Sequence, residues 1–226
     1  MKVVVRIGGS VVGSPLNEKL IDKYIDALKK LKLDGHQIIA VVGGGSLARE
    51  FIKIAGDLGL DETKRDWIAI HVSRLFAQLF SLCLAHEGCE IVPVSLDTAE
   101  SCLKEGKIVV MGGLYPGMTT DTVAALIGER IKADLLVKGS NVDGIYTKDP
   151  KKFPDAKKLD KLNFNDLNEF FELNKHEAGI NQIIDPEAIK VLQRCELRTI
   201  ILNGYDSKNL LSAINGIRIG TVIEKS

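Results

Sequence analysis

The sequence lacks the features that mark several common classes of protein. Its 226 residues carry 30 basic and 30 acidic side chains, so there is no positive excess of the kind that binds nucleic acid or an anionic membrane. The four cysteines show no C-x-x-C spacing and the four histidines are scattered, which indicates neither a disulfide framework nor a metal site. No apolar run approaches a membrane span and no signal-peptide layout is present, so we expect a cytoplasmic protein without nucleic-acid or membrane partners.

What the sequence does contain is a set of three apolar runs that each end in a glycine-rich turn. The runs are 3–7, 38–42 and 108–111, and the turns are 8–10, 43–46 and 112–113. Glycine lets a ligand approach the backbone closely because no Cβ is in the way. A helix N-terminus behind such a turn offers free N–H groups and a positive dipole end. The pattern predicts a crevice that holds two phosphorylated ligands, although glycines that merely end strands would look the same.

The order of the apolar segments predicts an α/β fold. Strand-like runs alternate with helical patterns, which favours a mostly parallel sheet covered by helices on both faces. We predict strands at 3–7, 37–42, 90–94, 107–111, 135–138, 199–202 and 221–223, and helices near 20–31, 47–58, 61–85, 97–104, 120–132 and from 186 onward. The segment 139–154 reads as a hairpin or ordered loop. We expect a single domain, residues 1–226, with an N-terminal half (1–132), a C-terminal half (133–226) and a crevice between them.

Two common phosphate-binding motifs do not fit. The stretch 139–144 has the glycine spacing of a Walker A loop, but Ile145 and Tyr146 follow where lysine and a hydroxyl are required. The stretch 43–48 matches G-x-G-x-x-A, but a second helix follows its helix where a dinucleotide-binding unit needs a strand. A dinucleotide-dependent oxidoreductase is therefore disfavoured.

Four sequence blocks together resemble one family. They are Ile7-Gly8-Gly9-Ser10, the stretch 42–49 (VGGGSLAR), the stretch 111–125 (MGGLYPGMTTDTVAA) and the stretch 140–150 (SNVDGIYTKDP). Their order and spacing are similar to those of the amino-acid-kinase superfamily, and most of all to the uridylate kinases of the archaeal type. The resemblance implies an α/β three-layer sandwich with a central, mostly parallel sheet. It also implies transfer of the ATP γ-phosphoryl group to UMP with Mg²⁺, by a homohexamer built from dimers.

The resemblance also assigns roles to residues. It implies that the N-terminal half binds the acceptor and the C-terminal half binds ATP, with no protein metal ligands. The residues so implied are, for catalysis, Arg6, Arg49 and Asp121; for ATP, Gly9, Ser10, Gly45, Arg49, Ser140, Asn141, Tyr146 and Asp149; and for UMP, Gly44, Asp66, Leu114, Tyr115, Pro116, Gly117, Met118, Thr119 and Thr120.

Elementary chemistry agrees with this assignment. The acceptor of a nucleotide kinase is a phosphate oxygen that is already anionic, so catalysis needs alignment and charge neutralisation rather than a general base. Arg6 lies in an otherwise apolar strand, and a buried guanidinium needs an anion to meet. That anion is either a phosphate of the ligand or a carboxylate of the protein. The ammonium group of Lys138, at the end of another predicted strand, could likewise contact a phosphate or have a purely structural role.

Two other functions stay open at this level. A sister kinase acting on acetylglutamate, carbamate or isopentenyl phosphate would share the ATP site, but an acyl-acid kinase has no need of a ribose-holding carboxylate at Asp66. A non-catalytic oxyanion-storage protein of the same fold is the other alternative. The lysine-rich segment 152–182 follows the ATP block, which suggests a mobile cover.

Overall fold

A seven-stranded sheet forms the centre of the molecule. The computed structural model describes residues 1–150, 152–167 and 183–225. The strands are β1 (Lys2–Ile7), β2 (Gln37–Val42), β3 (Val109–Met111), β4 (Leu135–Ser140), β5 (Ile145–Tyr146), β6 (Lys158–Leu159), β7 (Lys161–Asn163), β8 (Thr199–Asn203) and β9 (Thr221–Glu224). The sheet order is β3-β2-β1-β4-β8-β9-β7, and a separate pair, β5-β6, lies outside it.

The sheet is mostly parallel, as predicted. β1 pairs in parallel with β2 and β4, β2 with β3, and β4 with β8, whereas β9 runs antiparallel to β8. Strands covered on both faces read as continuous apolar runs, because neither face meets water. In β1, Val3, Val4, Val5 and Ile7 are at most 1% exposed. Arg6 is the polar exception within the run from Val3 to Ile7.

Helices cover both faces and complete a three-layer sandwich. They are α1 (Gly9–Val12), α2 (Glu18–Leu33), α3 (Gly45–Asp57), α4 (Glu62–Leu84), α5 (Leu96–Lys104), α6 (Thr120–Ile131), α7 (Pro186–Cys195) and α8 (Lys208–Ile214), with a 3₁₀ turn at Ala85–Glu87. Side chains of α5, α6 and α7 form one hydrophobic core with one face of the sheet, and those of α2, α4 and α8 form the other. The predicted fold class is confirmed.

Helix caps explain where the major helices begin. Asp61 accepts a hydrogen bond from the Lys64 amide at the start of α4. Thr119 accepts from the amides of Asp121 and Thr122 at the start of α6. Asp185 accepts from Ala188 at the start of α7, where proline occupies the first turn. Such caps satisfy amides that have no partner within the helix, and they fix the boundaries that the sequence predicts.

The predicted strand at 90–94 is wrong. Hydrogen bonding to the neighbouring segment is limited to an isolated bridge between Gly88 and Ile108. Pro93 has no amide hydrogen to donate, and Ile91 and Val94 are 56% and 51% exposed. An apolar run without a partner strand or a burying face does not form a strand here.

The expectation that no segment could span a membrane also needs correction. Residues 62–87 are long and apolar enough by length and composition, with a mean hydropathy of 1.6 over the best window. Buried helices of globular proteins pass the same test. The inner side of α4 carries Phe76 and Phe80, which are buried in the core shared with the sheet. Its apolar composition therefore serves packing on that side.

The parallel arrangement places the glycine turns together. β1, β2 and β4 run in the same direction, so the turns that follow their carboxyl ends meet at one edge of the sheet. β1 and β2 belong to the predicted N-terminal half, and β4 belongs to the predicted C-terminal half. The candidate site therefore lies where the two predicted halves join.

Candidate active site

The first two glycine turns interlock through their backbones. A Cβ on Gly9 would lie 2.2 Å from the Gly45 amide nitrogen, and a Cβ on Gly45 would lie 2.5 Å from the Gly9 carbonyl oxygen. Gly45 has a φ of +63°, a conformation that costs other residues strain. The third participant is the end of β4, whose Gly139 carbonyl accepts a hydrogen bond from the Gly8 amide. Glycine is required here because three strand ends pack without room for side chains.

The interlocked turns leave backbone donors at the edge of the sheet. In the part of the chain that the structure describes, the amides of Gly9, Ser10, Gly44 and Gly45 donate to no protein acceptor. These residues begin α1 and α3, where N–H groups and the helix dipole favour an anion. This arrangement fits the phosphate-binding crevice that the sequence predicts.

A pocket of about 180 Å³ opens beside these turns. Its lining combines the glycine turn of β2 with one side of α4 and the loop before α6: Gly44, Ala48, Asp66, Ala69, Ile70, Ser73, Gly113, Tyr115, Met118, Thr119 and Thr120. Five of the residues expected to hold UMP besides Gly44 thus line one pocket. Asp66 reaches across it and accepts a hydrogen bond of 2.7 Å from the Gly117 amide.

Three residues expected at this pocket have other positions. The Leu114 side chain is 2% exposed and packs in the core, so only its backbone could serve a ligand. Pro116 and Gly117 form the outer bend of the loop, and the φ of +80° at Gly117 allows that bend. Gly117 shapes the pocket through its bond to Asp66 rather than as part of the lining.

Arg74, to which the sequence assigned no definite role, fixes this loop. Its guanidinium donates to the carbonyl oxygens of Gly113 and Leu114, both at 3.0 Å, and lies 5.9 Å from the Trp67 ring centroid. Ser73, one residue earlier, accepts from the Gly113 amide at 2.8 Å. Helix α4 thus holds the third glycine turn in place, which no local sequence signal reveals.

A buried cluster of charges lies behind the turns. The Arg6 Nε is 2.6 Å from an Asp121 carboxylate oxygen, and the Lys138 ammonium contacts the other oxygen. Arg6 also donates to the Thr120 hydroxyl at 2.8 Å and to the Ile7 carbonyl at 2.9 Å. The anion that Arg6 meets in the structure is thus Asp121. Two of its five N–H donors are used in these hydrogen bonds, and the buried Nε makes an ion-pair contact without a hydrogen bond, so a contact with phosphate stays a prediction.

The surroundings set the ionisation of this cluster. Burial alone would raise the pKa of Asp121, but the charges of Arg6 and Lys138 outweigh it and hold that pKa below its ordinary value. Burial lowers the pKa of Lys138 to about 8, although the Asp121 carboxylate opposes the change. Two cations share one carboxylate, so the cluster keeps a positive charge beside the turns at neutral pH.

Asp185 is a site residue that none of the sequence motifs includes. Its carboxylate accepts from the hydroxyls of Thr119 and Thr122, the latter at 2.9 Å, as well as from the Ala188 amide at 3.0 Å. It therefore ties the start of α7 to the start of α6, where the pocket loop ends. The two segments are 66 residues apart, and no motif links them in the sequence.

Arg49 is exposed at the first turn of α3. Its guanidinium approaches the Ser14 hydroxyl at 3.4 Å, and Ser46 fixes the same bend by donating to the Gly13 carbonyl at 2.8 Å. In the described residues no carboxylate lies within ion-pair distance of Arg49. Its charge is therefore available to a ligand above the turns.

The residues expected to bind ATP follow β4. Ser140 is buried at the end of that strand, Asn141 is exposed just after it, and Tyr146 lies in β5 of the small hairpin. Asp149 is half-buried in the turn that follows. The loop between β4 and β5 is held to the end of β8 by a hydrogen bond of 2.7 Å from the Asn203 side chain to Asp143. Of the expected cover, 152–167 are described, and the remainder up to 182 lies outside the described residues.

The described residues contain no group of three or more histidine, cysteine, aspartate or glutamate side chains placed to hold a metal. Asp121 is neutralised by two cations, and Asp185 is engaged by two hydroxyls and an amide. The donor set therefore fits a magnesium ion that is held by the phosphates of a nucleotide, and it does not form a protein cage of its own.

Fold and site together define a phosphotransferase-like α/β protein, and comparison with known proteins gives the family. A model described as "Amino acid kinase family" matches residues 1–203, and the chain belongs to that family. Within it, the chain is 42% identical to a uridylate kinase of Methanocaldococcus jannaschii, covering 99% of this chain and all of the relative. It is 40% identical to a uridylate kinase of Thermococcus sibiricus over the same shares.

Solved structures agree with this placement. The crystal structure of uridylate kinase from Archaeoglobus fulgidus superimposes with a TM-score of 0.89 at 39% identity, covering 99% of this chain and all of that one. The crystal structure of UMP kinase from Bacillus anthracis gives a TM-score of 0.84 at 22% identity, over 100% and 96% of the two chains. At that identity the second comparison supports the fold alone.

Proposed function

We propose that this protein is a UMP kinase, which transfers the γ-phosphoryl group of ATP to UMP and yields UDP for pyrimidine nucleotide synthesis. The observation that carries the proposal is the pocket lined by Asp66 and Thr119, which opens directly onto glycine turns with free amides. Full-length relatives named uridylate kinase support the same activity.

The pocket chemistry favours a nucleotide acceptor over a small acid. Asp66 keeps one carboxylate oxygen beyond its bond to Gly117, and that oxygen suits the hydroxyls of a ribose. Backbone groups of the loop before α6 suit the edge of a uracil ring. An acyl-acid or carbamate acceptor would have no partner for this carboxylate, so Asp66 argues against the sister kinases.

The reaction needs little covalent chemistry from the protein. The UMP phosphate is already an anion, so the residues align two nucleotides and neutralise the charge that develops between them. The amides of Gly9, Ser10, Gly44 and Gly45 receive the phosphates, and Arg49 adds a guanidinium that matches phosphate geometry. The cluster of Arg6, Asp121 and Lys138 places fixed positive charge behind the turns, and preorganised charge of this kind stabilises a transition state.

ATP lies over the C-terminal half in this proposal. Ser140, Asn141, Tyr146 and Asp149 surround it, and residues 1–132 supply the acceptor side. Magnesium, bound to the ATP phosphates, supplies further charge neutralisation. No group of the chain has to remove a proton from the acceptor.

Self-association of the chain belongs to the same proposal. Helix α3 and the residue after it present an exposed apolar row at helical spacing, and α4 presents a second one: Leu47, Phe51, Ile54 and Leu58, then Leu75, Leu79 and Leu82. Rows of this size seldom stay in water, because exposed apolar area favours association. We propose that copies of the chain pair through α3 and α4 and assemble further into a homohexamer in the cytoplasm.

A coupled assay of ADP release tests the activity. The purified protein is offered UMP, CMP, AMP and GMP in turn with ATP and magnesium, and UMP is expected to be turned over in clear preference. Turnover of another acceptor with none of UMP would overturn the proposal. No turnover at all, together with bound molybdenum or tungsten, would favour an oxyanion-storage function.

Asp66→Ala provides the specificity test within that assay. Loss of a charged hydrogen-bond partner costs about 1.5–3 kcal/mol, so the KM for UMP is expected to rise roughly tenfold or more while the KM for ATP stays near the wild-type value. Glu62→Ala, an exposed carboxylate one turn earlier on α4, is the matched control. An unchanged KM for UMP would remove the ribose-holding role from Asp66.

A further inference from the structure

A second charged cleft lies around β9 and shares no lining residue with the pocket beside the glycine turns. Its volume is about 370 Å³, and its charged lining consists of Lys158, Lys161, Arg198, Arg218, Asp160 and Glu224. None of these residues is among those expected to bind ATP or UMP. Lys158 is the cross-strand partner of Tyr146 in the β5-β6 hairpin, so the cleft borders the ATP side of the site without sharing a residue with it.

Two of the cations are held by one acid. Glu224 lies 2.8 Å from the Lys161 ammonium and 3.0 Å from the Arg198 guanidinium. The hydrogen bond from Lys161 is the largest cause that holds the pKa of Glu224 below its ordinary value, and Arg198 contributes to the same change. Glu224 thus stays ionised at neutral pH and fixes the direction of two cationic side chains.

The remaining charges do not balance. Lys158 lies 3.3 Å from Asp160, but in the described residues no carboxylate lies within ion-pair distance of Arg218. Four cations thus face two carboxylates, an excess of two positive charges in one cleft. A free guanidinium offers a planar set of donors that matches phosphate oxygens in pairs.

The walls of the cleft are fixed by the backbone around them. The Val222 amide donates to the Asp160 carbonyl at 3.0 Å, and β7 pairs with β9. The Thr221 hydroxyl accepts from the Ile145 amide and donates to the Leu159 carbonyl, which ties the β5-β6 hairpin to β9. A cleft that is ordered before binding loses less entropy when a ligand enters.

We propose that this cleft binds a small molecule that carries at least two phosphate groups, at a site separate from the nucleotide site. Two unmatched positive charges suit a polyphosphate better than a singly charged carboxylate. The long cationic side chains at the rim can close on the phosphates, since their charged ends reach into solvent.

Calorimetric titration with pyrophosphate tests the proposal. The glycine turns also bind phosphate, so the wild-type protein is expected to show two classes of site at low ionic strength. Arg218→Glu removes the excess positive charge of the cleft. It is expected to raise the dissociation constant of pyrophosphate at one class of site at least tenfold and to leave that of the other class unchanged. Lys158→Glu is expected to act in the same direction. Lys19→Glu, an exposed lysine on α2, makes the same charge change elsewhere and is expected to keep both classes.

Two results would overturn the proposal. One is an Arg218→Glu isotherm that superimposes on that of the wild type. The other is an equal loss in Lys19→Glu, which would mean that net charge alone governs binding. Thermal melting followed by circular dichroism verifies that each variant folds, and Arg218→Gln replaces Arg218→Glu if the latter does not. The kcat and KM values without pyrophosphate are expected to stay unchanged in Arg218→Glu. A lower kcat or a higher KM in this variant would mean that the cleft is part of the nucleotide site and would also overturn the proposal.

Discussion

At the scale of single residues, the site combines charges that are already paired with one that is not. Arg6 and Lys138 share the carboxylate of Asp121 inside the protein, whereas Arg49 stands exposed above the turns. In the proposed reaction, a paired, buried cation sets the electrostatic field around the site, and an unpaired, exposed cation contacts the transferred phosphoryl group. The two kinds of cation therefore predict different results on substitution.

Arg49→Ala is expected to lower kcat at least tenfold with little change in stability. The exposed side chain supports no ion pair among the described residues, but loss of a charge contact to the transition state costs several kcal/mol. Steady-state kinetics together with urea unfolding measure both quantities. Lys53→Ala, a second exposed cation on α3, is the matched control, and a near-wild-type kcat in Arg49→Ala would discredit the role.

Asp121→Asn is expected to destabilise the protein by about 3–5 kcal/mol at pH 7, because Arg6 and Lys138 would be left buried without an anion. The folded-state pKa of Asp121 is lowered, so its stabilising effect is complete above the ordinary value of 3.8 and is lost as the pH falls below it. Urea unfolding at a series of pH values compares the two proteins. The wild type is expected to have the higher free energy of unfolding at pH 7 and to lose this advantage over Asp121→Asn as the pH falls below 3.8. A difference that stays constant down to pH 3 would contradict the ion pairing of Asp121.

At the scale of elements, the sequence predicted the strands and helices that carry their own signals. β2 has the bounds predicted for it, and α4 and α7 begin within one residue of their predicted starts. The strand prediction at 90–94 is wrong because a strand needs a partner strand to pair with, and the local sequence pattern does not reveal whether one is present. Contacts between distant elements could not be predicted for the same reason. Arg74 and Asp185 contact residues that are 40 and 66 positions away in the chain.

Asp185 offers a test of one such contact. Asp185→Ser keeps a helix cap on α7 but is too short to reach Thr119 and Thr122, whereas Asp185→Ala loses both functions. Because a cap contributes about 1 kcal/mol, Asp185→Ala is expected to be less stable than Asp185→Ser by roughly that amount in urea unfolding. Both variants are expected to raise the KM for UMP. If both bound UMP as the wild type does, α7 would have no part in placing the pocket loop.

At the scale of the whole molecule, the sandwich fold leaves an apolar face on α3 and α4 exposed in the single chain. Phe51 and Ile54 are 47% and 55% exposed on α3. Burial of such area stabilises association by about 25 cal/mol per Å² before the cost of ordering is subtracted. The resemblance of the sequence blocks suggested assembly, and the structure adds which face is suited to it.

Phe51→Glu is expected to shift the protein to a smaller assembly, since a carboxylate on this face would have to be desolvated in the contact. Light scattering coupled to size-exclusion chromatography measures the mass of each species. Lys53→Glu places the same charge on the polar side of α3 and is expected to leave the mass unchanged. An unaltered mass in Phe51→Glu would move the contact to another face.

In the proposed reaction two nucleotides meet over the interlocked glycine turns, and a crystal structure with UMP and a non-hydrolysable ATP analogue would show where each one binds. We expect electron density for the ribose beside Asp66 and for the uracil beside Thr119, with both phosphate chains on the amides of Gly9, Gly44 and Gly45. Uracil density in another part of the molecule, or turns that stay empty at saturating ligand, would contradict it.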